Sequence, residues 1–111
     1  MKLIKESQAE YYEAKRHFNC WTGHKLTPEI GAKNISISYS HFLPNGGAEM
    51  CSSPVERIYY LIEGSMAVKG KNEEHILEPG DMCYIGAGEE RAVQILSNKP
   101  ATMLVIMPKV N

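Results

Sequence analysis

The sequence has 111 residues, of which 43% are hydrophobic and 23% are charged, and its formal net charge is −1. A chain of this length predicts a single domain with a core large enough to fold without disulfides. The balanced charge argues against a basic surface for nucleic acids or anionic membranes. No apolar run approaches the ~20 residues needed to span a bilayer. From the charge and the run lengths together, we expect neither a nucleic-acid partner nor a membrane.

The cysteines and the N-terminus bear on the cellular compartment. The first six residues lack the apolar segment of a signal peptide. The three cysteines, Cys20, Cys51 and Cys83, are odd in number and widely spaced. This pattern argues against a disulfide framework and against a C-x-x-C zinc site. We therefore expect a reduced, cytoplasmic protein.

The N-terminal third contains no segment typical of a core helix. Residues 5–16 have helix-forming composition, but their apolar spacing is poor, so they predict a short helical turn or an arm. Residues 18–22 are typical of a first strand. We expect residues 1–33 to form an N-terminal arm and the first strand of the domain.

The clearest alternation lies in residues 35–43, where serines mostly occupy the even positions. The odd positions are Ile35, Ile37, Tyr39, His41 and Leu43. A period of two predicts a half-buried strand, with His41 on its apolar side. The sequence Pro44-Asn-Gly-Gly47 predicts a turn that ends this strand. Pro54 predicts irregular chain over residues 48–55.

The rest of the chain alternates between short apolar runs and glycine-containing turns. The longest run, residues 57–63, predicts a central strand that ends at Gly64. Further strands are predicted over residues 65–69, 75–77, 82–85, 91–96 and 102–107. Many short, evenly spaced strands predict an all-β sandwich or barrel, with residues 34–108 as the barrel of one domain covering residues 1–111.

Two stretches, Leu61-Ile-Glu-Gly64 and Glu78-Pro-Gly-Asp81, resemble the motifs of the small single-domain cupins. Gly64, Gly80 and Gly88 fit the glycine positions of these two motifs. The resemblance covers residues 42–107. It implies a cupin jelly-roll barrel, also called a double-stranded β-helix, but it does not imply one reaction, because a single fold supports many chemistries.

The metal ligands of the cupin motifs are replaced in this sequence. In family members that bind metal, two histidines, a glutamate and a third histidine hold the ion inside the barrel. The histidine pair falls on Cys51 and Ser53, or on Met50 and Ser52 in a second alignment. The glutamate position is Arg57 and the last histidine position is Arg91. Arginine stays protonated and cannot bind a cation, so the resemblance implies a metal-free barrel without a cofactor.

Two of the three arginines therefore occupy former metal positions, which the resemblance places inside the barrel, facing each other. A buried arginine needs an acceptor. One alternative is pairing with nearby carboxylates, which gives an inert barrel; the candidates are Glu49, Glu56, Glu63, Glu89 and Glu90. The other alternative is a bound carboxylate or phosphate, which two arginines bind well. Tyr59, His41 and Cys51 are then expected to complete the lining.

We therefore predict a small cupin that binds an anionic or polar molecule through Arg57 and Arg91, with no assigned reaction. One alternative is a lyase, isomerase or cyclase that uses His41 as acid or base. Another is a metal-dependent oxygenase, whose relocated site joins His41, Cys51 and His75. A third is a structural or regulatory dimer with a sealed barrel. Dense apolar residues over 58–62 and 103–107 need cover on the outside of the barrel, so we also predict a homodimer.

Overall fold

A computed structural model describes residues 1–8, 10–12, 15–25 and 31–109, with residues 11 and 21–25 described by their backbone alone. This part of the chain forms a 3-10 helix at Glu6–Gln8 and otherwise strands, which confirms the predicted all-β class. The strands are β1 Glu10–Tyr12, β2 His17–Lys25, β3 Ile35–Cys51, β4 Arg57–Glu63, β5 Met66–Lys69, β6 Glu74–Leu77, β7 Met82–Ile85, β8 Arg91–Ile95 and β9 Ala101–Pro108. Within the described ranges, no helix is long and apolar enough to cross a bilayer.

The barrel is built around β3, which belongs to both of its halves. The strand order is β6-β5-β8-β3-β9-β4-β7, and all the pairings are antiparallel. The first half of β3 pairs with β9, from Ile35 opposite Pro108 to Phe42 opposite Ala101. Its second half pairs with β8, where Cys51 lies opposite Arg91. Strand β2 pairs with β3 as well, and β1 pairs with β2.

The predicted turn at residues 44–47 is wrong, because β3 continues through it to Cys51. Gly46 and Gly47 are buried where β2 and β8 approach β3 closely. A Cβ on Gly46 would lie 2.5 Å from the carbonyl oxygen of Asn19, and one on Gly47 would overlap the carbonyl oxygen of Val93. The glycines permit close packing of backbones here. The irregular segment is limited to residues 52–56.

The alternation in β3 is real, but its apolar face points away from the barrel. Ser40 and Phe42 are 2% and 0% exposed, whereas Ile35 and Leu43 are 52% and 44% exposed. The serine-bearing face therefore points inward, where Phe42 joins the core. His41, which shares the parity of the isoleucines, lies on the outward side of the strand.

The core is formed by alternate residues of the strands around β3. In β4 and β9, the buried side chains include Tyr59, Leu61, Met103 and Val105. The contributions of β5 and β8 are Met66, Val68, Val93 and Ile95. Strands β4, β8 and β9 thus each have one face in the core, whose burial is the main favourable contribution to folding.

The outer face of the β3-β9-β4-β7 region consists of two apolar rows across four strands. One row contains Ile37, Ile106, Ile58 and Tyr84, and the other contains Tyr39, Leu104, Tyr60 and Met82. None of these side chains is charged. Met82 and Tyr84 are 65% and 62% exposed. We refer to these eight residues as the outer face.

Candidate functional site

A cavity of about 310 Å³ lies inside the barrel and is lined by residues from β2, β3, β4, β8 and β9; we refer to it as the central cavity. Cys51, Ser53, Arg57 and Arg91 all line it. These are the four positions at which the sequence comparison with metal-binding cupins placed ligands. Met50 is 47% exposed and is not part of the described lining, so the geometry favours the first alignment.

Arg91 lies deep in the central cavity and is only 7% exposed. Its Nε–H donates to the hydroxyl oxygen of Tyr59 over 3.0 Å, and an Nη1–H donates to the carbonyl oxygen of Cys51 over 2.9 Å. A guanidinium carries five N–H groups. The remaining three are therefore available to another acceptor in an orientation fixed by these two bonds.

Arg57 contributes a second guanidinium to the central cavity. It stands opposite Ile85 at the start of β4, and its buried Nε has no hydrogen-bond partner within the described part of the chain. Among the described residues, neither Arg57 nor Arg91 lies within ion-pair distance of a carboxylate. The glutamate-paired arrangement is therefore not what these residues adopt. An unpaired buried donor costs free energy, and an anion would supply the acceptor.

Three further basic side chains line the central cavity, from the turn before β2 and the first residue of that strand. They are Lys15, Arg16 and His17, so every arginine of the sequence reaches this one cavity. Within the described lining, four permanent cations face a single carboxylate, Glu49. None of these three side chains was predicted from the sequence to line the cavity. The rarity of arginine in the sequence was the available clue to Arg16.

Four of the five predicted ligand-binding residues, Arg57, Arg91, Tyr59 and Cys51, line the central cavity together. The fifth, His41, is not among the lining side chains. Its Nδ1 lies 3.1 Å from the Oγ1 of Thr102, and its ring stacks on Tyr39 with 5.7 Å between centroids. His41 lies on the side of β3 that faces away from the barrel, whereas the arginines line the cavity inside it. This geometry does not favour an acid–base role for His41 in the cavity.

The alternative metal site is not assembled either. His75 lines a different pocket from Cys51, and no three metal-ligating side chains cluster within the residues that the structure describes. The four former ligand positions hold two arginines, a cysteine and a serine. Two permanent cations repel a metal ion, so these side chains do not fit one.

A second pocket, of about 430 Å³, opens between the β5–β6 hairpin and the loop before β8. Arg91 contributes to its lining as well and so lies between the two cavities. Cys83 lines this outer pocket, and burial, followed by the charges of Glu73 and Glu89, raises the pKa of its thiol above the ordinary value. A thiol that stays protonated is a poor nucleophile. All three cysteines are free, as predicted, while the cytoplasmic location stays a prediction.

Comparison with known proteins identifies the family. A model of the cupin domain matches residues 38–107, which is more than half of the chain. The chain belongs to the cupin family. This confirms the resemblance, and the jelly-roll barrel is thus a cupin barrel.

Individual relatives differ widely in their names. A protein named β-D-galactosidase from Mycobacterium tuberculosis is 28% identical over 106 residues, which cover 95% of this chain and 91% of that protein. The polyketide cyclase RemF from Streptomyces resistomycificus superimposes with a TM-score of 0.83 at 21% identity, over 97% of this cupin and 79% of RemF. KdgF from a Halomonas species gives a TM-score of 0.79 at 11% identity, over 100% and 96% of the two chains. The two structural matches support the fold alone.

Proposed function

We propose that this cupin binds a small anionic molecule in the central cavity, with a carboxylate or phosphate held between Arg57 and Arg91. The observation that carries the proposal is the buried Nε of Arg57, which has no partner among the described residues and shares the cavity with the fixed guanidinium of Arg91. Charge-assisted hydrogen bonds from arginine to an oxyanion are roughly twice as strong as neutral ones. The cavity volume of about 310 Å³ is at the lower end of ligand pockets, so a small ligand fits best.

Arg57→Met tests the proposal directly. Calorimetric titration of the wild-type protein with acetate, butyrate and inorganic phosphate should show binding of at least one anion. In Arg57→Met that anion should bind about 10- to 100-fold more weakly, because a charge-assisted bond is lost. The melting temperature of the ligand-free variant should be unchanged or higher, since the substitution removes an unpaired buried donor.

The matched control is Lys99→Met, which removes the same charge from the exposed turn before β9. Its affinity for the anion should equal that of the wild-type protein. Unchanged affinity in Arg57→Met would contradict the proposal, and so would an equal loss in both variants, because then only overall charge matters.

The name of the mycobacterial relative favours a second candidate function, glycoside hydrolysis. Most glycosidases use two carboxyl groups that flank the scissile bond. The described lining of the central cavity provides one, Glu49, so anion binding is the better supported proposal. Hydrolysis of nitrophenyl β-galactoside that disappears in Glu49→Gln would favour the glycosidase instead.

We also propose that the outer face pairs with the outer face of a second copy of the chain. Its two rows are apolar and carry no charge, so they do not select a charged partner, and a two-fold axis would set the same eight residues of two copies against each other. Light scattering should give twice the chain mass of 12.4 kDa. Met82→Glu should shift the mass towards one chain, whereas Met50→Glu, also at an exposed methionine, should not. A single-chain mass for the wild-type protein at tens of micromolar would contradict the dimer.

A further inference from the structure

We infer that Arg16 binds a second anionic group of the same ligand, so that the preferred ligand is a dianion with a short carbon chain between its charged ends. The inference rests on the proposed anion binding by Arg57 and Arg91. It adds a second point of contact at the mouth of the central cavity, where the exposed Arg16 contributes to the lining.

The backbone of Arg16 is the first reason for this assignment. Its φ angle is +61°, in the left-handed region that glycine and asparagine adopt most readily. Arginine at this position costs backbone free energy that glycine would not. Such strain persists where the surrounding structure enforces it, and it is concentrated at functional sites. This backbone conformation makes the side chain of Arg16 a candidate for a functional role.

The contacts around Arg16 fix its position relative to the cavity. Its carbonyl oxygen accepts a 2.9 Å hydrogen bond from the backbone N–H of Glu49 in β3. The next residue, His17, stacks on Phe42 with 5.4 Å between ring centroids and an angle of 8°. The Nδ1–H of His17 donates to the carbonyl oxygen of Lys15 over 2.8 Å. The turn is thus attached to the barrel at two points and closed by a hydrogen bond of its own, which limits the conformational entropy that a ligand would have to remove.

The lining of the central cavity combines cationic side chains with both polar and apolar ones. Arg91 is buried at the base, Arg16 is exposed at the mouth, and the wall includes four apolar side chains, Val93, Met103, Val105 and Met107. A molecule with one anion at each end and methylene groups between them matches a cavity that offers both cationic and apolar side chains. A linear dicarboxylate has this chemistry.

The test compares ligands that differ by one carboxylate. Dissociation constants are measured by calorimetry for two pairs of equal carbon number, butyrate with succinate and hexanoate with adipate. In the wild-type protein, at least one dicarboxylate should bind ten-fold or more tightly than its monocarboxylate. In Arg16→Asn that ratio should fall to about one, while the monocarboxylate affinity is unchanged. The ligand-free melting temperature should not fall, because asparagine tolerates the left-handed backbone.

Lys99→Asn is the control, because it removes the same charge from an exposed turn and should leave the ratio unchanged. A ratio that persists in Arg16→Asn, or the absence of any dicarboxylate preference in the wild-type protein, overturns the inference but leaves anion binding at Arg57 intact. Failure of all four compounds to bind also overturns the inference, and it overturns anion binding as well if inorganic phosphate fails to bind. Monocarboxylate binding that weakens in Arg57→Met shows that anion binding at Arg57 holds even where the inference about Arg16 fails.

Discussion

Replacing Gly47 with alanine should destabilise the protein by about 3 kcal/mol or more, which is the upper range for overpacking a buried site. Gly47 is buried in β3 at the level where β2 and β8 both pair with it, and a Cβ there would overlap the carbonyl oxygen of Val93. The obstacle is backbone on the neighbouring strand, so no side chain can rotate away. Thermal unfolding should show a fall in melting temperature of roughly 10 °C or more.

Gly86→Ala provides the control. Gly86 lies outside the left-handed region, and a Cβ on it would meet only the carboxylate Oε1 of Glu89, at 4.0 Å. Both substitutions reduce the entropy of the unfolded chain similarly, so the difference between them isolates the clash in the folded state. Equal melting temperatures for Gly47→Ala and Gly86→Ala would show that β3 does not pack as closely as the structure has it.

Arg91→Met should weaken both the fold and the binding of anions. The substitution leaves the hydroxyl of Tyr59 and the carbonyl of Cys51 without the donors that the buried guanidinium supplies. Each unsatisfied buried group costs about 1–3 kcal/mol, so we expect a loss of about 2–4 kcal/mol in the free energy of unfolding. Arg57→Met should cost nothing in stability, although it removes the same type of side chain from the same cavity.

Tyr59→Phe distinguishes this explanation from a simple loss of packing. In the Arg91→Met background it removes the hydroxyl left without its donor, so the double variant should be more stable than Arg91→Met alone. The double-mutant cycle, measured by urea unfolding, should give a coupling energy of about 1 kcal/mol or more. Zero coupling, or an Arg91→Met variant as stable as the wild-type protein, would contradict the structural role of Arg91.

The meeting of Arg57 and Arg91 in one cavity could be predicted because two independent features of the sequence coincided. Spacing from Gly64 and Gly80 placed Arg57 and Arg91 at positions that face the barrel interior, and a charged residue at such a position requires an explanation. Cys51 and Tyr59 followed from the same spacing and strand parity. The register of β3 with β8, which sets Cys51 opposite Arg91, shows why positions far apart in sequence meet.

Which face of β3 points into the barrel could not be predicted in the same way. Alternation identifies two faces of a strand, but it does not say which one is inside. The usual assumption assigns the apolar face to the interior. Here Ser38 and Ser40 line a polar cavity, and the isoleucines lie on the outside. His41 was included in the predicted site because it shares their parity, and it lies outward for the same reason.

The contribution of the N-terminal segment to the central cavity could not be predicted, because it depends on how β2 pairs with β3. Residues 15–17 reach the central cavity because β2 pairs with β3, with His17 opposite Ala48. Nothing in the spacing of residues 5–16 specifies that register. The glycine pair at residues 46 and 47 was ambiguous for a related reason, since glycine serves tight turns and close backbone contacts equally well. Only the neighbouring strands decide between these two uses.

The position of β9 has a consequence for how the protein folds during synthesis. Strand β9 lies between β3 and β4 and pairs with both, so Ile37 and Ile58 each stand opposite Ile106. Until residues 101–108 have been made and have left the ribosome, these two earlier strands have exposed backbone edges and no shared partner. Pairings over such sequence separations form slowly and favour aggregation while they are incomplete. This half of the barrel therefore cannot complete its pairings until β9 has been synthesised, although β3 and β4 precede it in the sequence.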